Sequence, residues 1–196
     1  MELEKGKILV KLARKSVEKF FEKNKLEIEE SKEKEFKEKR GVFVTIETYP
    51  ENELRGCIGF PLPYFPLYEA VQKASISAAF EDFRFEPLKK EELKKVTFEV
   101  SVLTKPELIK VKDSQEYLKV IEEGKDGLII EYEGFSALYL PQVWEIIQEK
   151  EKFLESLCLK AGLSPETWKN KKTKIFRFRV EAFKEKEPEG EVVKVF

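Results

Sequence analysis

A thiol and a guanidinium stand close together in the run Leu54-Arg55-Gly56-Cys57-Ile58-Gly59. In a strand, successive side chains face opposite ways, so Arg55, Cys57 and Gly59 share one face and Leu54, Gly56 and Ile58 the other. Leu54 and Ile58 suit a core and an arginine does not. The expectation is therefore an accessible Cys57 beside Arg55, where a nearby cation favours the thiolate and makes it a better nucleophile. Gly56 and Gly59 on either side point to a bulge, or to close approach of backbone or ligand. The competing reading is inert packing, because free cysteine is among the most buried residue types.

A second cluster follows in Ala78-Ala79-Phe80-Glu81-Asp82-Phe83-Arg84-Phe85, just past a helix end. Arg84 carries a planar fork that suits a carboxylate or phosphate. It either clamps a ligand, with Glu81 or Asp82 as a base, or pairs with one of those carboxylates and fixes the loop. Gln142, in Tyr139-Leu140-Pro141-Gln142-Val143-Trp144, reads as a polar-ligand contact or as a satisfied loop amide. Trp168-Lys169-Asn170-Lys171-Lys172 with Lys174, Arg177 and Arg179 is the one basic stretch carrying an aromatic, which suits either single-stranded nucleic acid or a solvated turn. Cys158 lies on an apolar helical stripe and reads as core.

Composition narrows the chemistry. The 196 residues include no histidine, which removes Ser-His-Asp and Cys-His mechanisms and His-ligated zinc or iron. Two cysteines make neither a four-thiolate metal site nor a disulfide framework, and no carboxylate spacing argues for a metal. The net charge of -1, from 37 basic and 38 acidic residues, gives no global field to gather nucleic acid. Charged residues reach 38 %, nearly all Lys and Glu, a pattern of proteins from hot environments. No apolar run spans a membrane and the first residues lack the apolar core of a signal peptide, so the expected location is the cytoplasm.

These residues need elements to position them. Apolar spacing predicts a helix over 4–24 on Ile8, Leu9, Leu12, Ala13, Val17, Phe20 and Phe21. Residues 29–40 read as a solvated charged stretch. Alternation predicts strands over 42–47 and 54–60 as a hairpin, then a helix over 67–79 and a strand over 96–104. Asp113 and Glu116 resemble a capping box for a short helix to Ile121. Strands follow over 128–132 and 135–140, a helix over 152–161 stopped by Gly162, and a single late strand over 175–183. Without strict βαβ alternation, the fold class is α+β with mainly antiparallel sheets and packed helices.

With those residues in view, the chain resembles the AMMECR domain family. Leu54-Arg55-Gly56-Cys57-Ile58-Gly59 looks like its signature hexapeptide. Ala78-Ala79-Phe80-Glu81-Asp82 with Arg84-Phe85, Glu99-Val100-Ser101-Val102-Leu103-Thr104, Leu140-Pro141-Gln142-Val143 and Lys160-Ala161-Gly162-Leu163 resemble further motifs, in an archaeal form, and the likeness spans 1–196 as a single domain. It implies two interleaved subdomains with a cleft between them, lined by Arg55, Cys57, Glu81, Asp82 and Arg84. It also implies association with a radical-SAM protein and a Memo-like protein in a modification pathway, but brings no reaction and no cofactor. Phe83 stands where relatives carry proline, and Asp126 where many carry histidine. Three readings stay open: an enzyme component with Cys57 as nucleophile or redox thiol, Arg55 its activator and Arg84 an anion clamp; a binding or adaptor module holding an anion or partner through the arginines; and a hexapeptide of structural use only.

Overall fold

The computed structural model describes residues 1–195. Helix α1 (Leu3–Lys23) buries Gly6, Leu9, Val10, Ala13 and Val17 along one stripe. Ile8, expected on that stripe, is exposed. Arg14 takes a place on it instead, as described below. The charged stretch after α1 is pinned rather than fully solvated. The Gln72 amide bonds both ways to the Glu29 backbone, at 2.8 and 2.9 Å, and Phe36 is fully buried.

Strands β1 (Val42–Thr48) and β2 (Leu54–Phe60) form the expected antiparallel hairpin. Strand β3 (Val96–Leu103) pairs antiparallel with the other edge of β1. Helix α2 (Leu67–Phe80) packs on β1 and β2 through Leu67, Ala70, Val71, Ala74 and Ala78, whose alanines allow a close approach. Both α1 and α2 press on one face of this sheet, through Val42, Val44, Ile46, Phe98 and Val100.

Strand β4 (Glu107–Leu108) is short and lay outside the sequence expectation. Asp113 Oδ1 accepts from Gln115 N at 2.9 Å and Glu116 Oε2 from Lys112 N at 2.8 Å, so the capping pair holds the entry to α3 (Tyr117–Val120) one residue off the expected register. Strands β5 (Gly127–Tyr132) and β6 (Phe135–Tyr139) turn at Glu133-Gly134, both at positive φ. Helix α4 (Lys150–Lys160) buries Phe153, Leu154, Leu157 and Cys158. It ends at Gly162, φ 77°, where Leu163 N donates back to Cys158 O at 3.0 Å, a Schellman closure.

The single late strand is a misreading. It is β7 (Lys174–Phe178) and β8 (Val180–Glu185), broken at Arg179. The two pieces serve different sheets, β2-β1-β3-β8-β9 and β4-β7-β5-β6, where β9 is Val192–Lys194. Periodicity ran through the break because both pieces alternate in the same sense. The chain divides into two compact units: residues 1–103 with the segment from Glu181, and the inserted residues 104–180. Each has its own core, the second built on Leu128, Ile130, Trp144, Phe153 and Trp168. Mainly antiparallel α+β architecture is what the structure shows.

Candidate functional site

Strand β2 lies at the edge of its sheet, so backbone groups of Cys57 point outward with no strand to meet them. The loop after α2 takes that place. Asp82 Oδ2 accepts from Cys57 N at 2.9 Å, and Arg84 Nη2 donates to Cys57 O at 3.2 Å. The two side chains are themselves joined, Arg84 Nε to Asp82 Oδ1 at 2.9 Å and Nη2 to Oδ2 at 2.6 Å. An ion pair thus stands in for a neighbouring strand. The Arg84 hydrogen bonds hold the Asp82 carboxyl well below the usual carboxylate range, against burial, with the Cys57 amide helping.

Gly56 and Gly59 have steric reasons. A Cβ on Gly56 would lie 2.1 Å from Ala78 O at the end of α2, and one on Gly59 would lie 2.3 Å from Val42 O. Close backbone approach, not a ligand, occupies both spaces.

Arg55 does not activate Cys57. Its guanidinium is matched to Glu92, Nε to Oε1 at 2.9 Å and Nη2 to Oε2 at 3.2 Å, which pulls the Glu92 carboxyl down. The expected low thiol pKa is reversed. Burial pushes Cys57 up, outweighing the Thr45 hydrogen bond and the Arg84 charge, and the charges of Glu99 and Asp82 add to the rise. Leu54, expected inward, is exposed at the strand end.

Cys57 is half-buried on the face of the sheet opposite α1 and α2. Thr45 Oγ1 donates to Cys57 Sγ at 3.3 Å. In register on the far side of Thr45 stands Glu99, half-buried, its Oε1 accepting from Ser101 Oγ at 3.0 Å. Burial pushes the Glu99 carboxyl up; the Ser101 bond opposes this, and nearby Glu47 adds to it. Thr97 is on the same face, its Oγ1 buried without a hydrogen-bond partner among the described residues. Glu99 and Thr45 were missed as site residues. Their polar alternation in β3 and β1 was legible, but the register that lines them up with Cys57 was not.

The remaining expected residues are elsewhere or engaged. Glu81 is exposed and accepts from Ser77 Oγ at 2.5 Å. Gln142 is exposed on a turn of the second unit. Asp126, also of that unit, is fully buried and holds its turn, Oδ1 accepting from Arg179 Nε at 3.2 Å and Oδ2 from Glu122 N at 2.9 Å. Phe83 is almost wholly exposed, so the residue before Arg84 does not pack the loop. Trp168 is fully buried and cannot stack on a base. Cys158 is core, as expected. Among the described residues no group of three or more His, Cys, Asp or Glu is placed to hold a metal ion, and no helix is long and apolar enough to cross a membrane.

Fold and site together define an α+β protein with a half-buried thiol and a half-buried carboxyl on the sheet face opposite α1 and α2. The profile of the AMMECR1 family matches residues 10–183, and the chain belongs to that family. It is 49 % identical to protein MJ0810 of Methanocaldococcus jannaschii, over 97 % of this chain and 95 % of the relative. It is 50 % identical to protein Ta0236 of Thermoplasma acidophilum, over 98 % and 93 %. The crystal structure of the uncharacterized protein PH0010 from Pyrococcus horikoshii superposes with a TM-score of 0.79 at 43 % identity, covering 100 % of this chain and 98 % of that one.

Proposed function

We propose that the sheet face bearing Cys57, Thr45 and Glu99 is the working site of an enzyme or enzyme component. One observation carries this reading. Glu99 is a half-buried carboxyl with no ion pair among the described residues and only the Ser101 hydroxyl as a partner. Burying an unpaired carboxyl costs stability, and such groups concentrate where a proton is handled. Its raised pKa makes it a better base than an ordinary carboxylate. Cys57 is then a neutral thiol at rest, and Glu99, across Thr45 from it, acts on a proton of the substrate rather than on the thiol's own. A substrate lying across β1 spans the roughly 10 Å between the two outer side chains.

The alternative of an anion held through Arg55 and Arg84 finds both guanidiniums already matched by carboxylates. The radical-SAM and Memo-like proteins implied by the resemblance are the partners to supply in activity assays.

The test is the alkylation rate of Cys57 against Cys158 across pH, in the folded protein and in Glu99→Gln. Cys57 is expected to react in the folded state while buried Cys158 does not. Its apparent pKa should lie above the ordinary thiol range and fall in Glu99→Gln, which removes a neighbouring negative charge. If Cys57 resists until the protein unfolds, the thiol is packing and the reading fails.

A further inference from the structure

In the sheet of the second unit, Leu128, Ile130 and Ile175 point into the core, so the residues that alternate with them point the other way. Register sets four of these in one row across all four strands. Leu108 on β4 pairs with Phe176 on β7, Phe176 with Ile129 on β5, and Ile129 with Leu138 on β6. The row stands apart from the core that holds Leu128 and Ile130. Leu108 is 42 % exposed, Phe176 and Leu138 are half-buried, and Ile129 between them is nearly buried. A contiguous apolar patch that reaches solvent is unfavourable, and such patches mark interaction surfaces.

The rows on either side differ. Toward one end, Gly127 pairs with Phe178 and a Cβ on it would lie 2.4 Å from the Phe178 ring, so that ring closes the face. Toward the other end, Lys174 on β7 stands in register with Glu131 on β5, and Glu131 with Ser136 on β6. All three are exposed, and neither Lys174 nor Glu131 makes an ion pair among the described residues. The strand order β4-β7-β5-β6 puts the centre of the sheet between β7 and β5. A two-fold axis along the strands at that centre lays the face on a copy of itself with the strand order reversed. Then β7 of one copy faces β5 of the other, and β4 faces β6. Phe176 meets Ile129, Leu108 meets Leu138, and Lys174 meets Glu131, each contact made twice. A two-fold axis across the strands would instead set the charged row against the Phe178 end. Charge complementarity therefore selects the first arrangement, which is also the nearly aligned packing that stacked sheets adopt.

We infer that this face docks on the same face of a second copy of the chain about that axis. With strands about 4.8 Å apart and rows about 7 Å apart, its footprint is well under the roughly 800 Å² per partner of a standard interface, so the dimer is a weak, reversible one.

Sedimentation equilibrium of the full chain at low salt, from micromolar to millimolar concentration, tests this. Wild type should associate. Leu108→Lys, a change at an exposed position, should stay monomeric with an unchanged thermal melt. Lys174→Glu and Glu131→Lys should each weaken association about tenfold or more, because both attractive contacts of the dimer become repulsive. Mixed in equal amounts, the two variants should associate as tightly as wild type, since a mixed pair again opposes unlike charges at both contacts. Pairing of Lys174 with Glu131 inside one chain could not be rescued by mixing. A chain that stays monomeric at millimolar concentration overturns the inference and leaves the face to a different partner. So does association that Leu108→Lys leaves unchanged, which would place the contact elsewhere, or a mixture that associates no better than either variant alone.

Discussion

Asp82→Asn is the sharpest probe of the loop that stands in for a strand. All four atoms bonded to the carboxylate are donors: Cys57 N, and Arg84 N, Nε and Nη2. Asparagine has the same shape but must turn an NH₂ toward donors on one side or the other. Breaking a buried charge pair costs about 3–5 kcal/mol. Asp82 is 4 % exposed, but the Arg84 side chain is 44 % exposed, so water recovers part of that loss. We expect about 2–3 kcal/mol, which for a chain of this length lowers Tm by roughly 5–10 °C. The pH dependence follows from the sign of the shift. The folded carboxyl is held below its unfolded value, so its contribution is present above the unfolded value of about 3.9 and drains away as pH falls through the folded one. The gap between wild type and Asp82→Asn must therefore narrow in acid. Calorimetry against pH measures the gap, and hydrogen exchange at the Cys57 amide reports the lost acceptor locally. A variant within about 0.5 kcal/mol of wild type at neutral pH, or an unchanged Cys57 exchange rate, would refute the edge-capping account.

Gly56→Ala places a methyl against Ala78 O and should cost about 1–3 kcal/mol by forcing β2 from α2, measured by denaturant titration. The buried pair Arg14–Glu185, bonded at 2.7 and 2.6 Å and shared with Leu93 O, Val96 O and Phe98 N, predicts a loss of about 3–5 kcal/mol for either partner replaced by alanine. The double variant Arg14→Met with Glu185→Leu should recover much of that loss, because no charge is then stranded; a double variant as unstable as the singles would show that the pair itself is needed. Glu99→Gln tests the raised carboxyl. Its contribution is present below the unfolded value of about 4.3 and lost as pH rises through the folded value. Glu99→Gln should accordingly gain on wild type from mildly acid to neutral pH and match it in stronger acid; a pH-independent difference would mean that Glu99 ionises without strain.

Much of this protein is written locally. Alternation gave the hairpin of β1 and β2 and the strand β3, and apolar spacing gave α2 and α4 with their buried residues, because each pattern reports one element against one core. The hexapeptide and the loop around Asp82 and Arg84 stood out by residue type alone. Their roles did not, because those depend on what lies across space. Arg55 looked like an activator until Glu92, 37 residues away, was found on its fork. The glycines read as a bulge or as close approach of backbone or ligand, and only the carbonyls of Ala78 and Val42 decided for backbone. The break at Arg179 was invisible to a period that continues unchanged on both sides, although β7 and β8 feed separate sheets. The alignment of Cys57, Thr45 and Glu99 was likewise a matter of register. Local sequence sets which way a side chain faces, but hydrogen bonding between distant segments sets which side chains meet, and burial among those neighbours decides the charge each one carries.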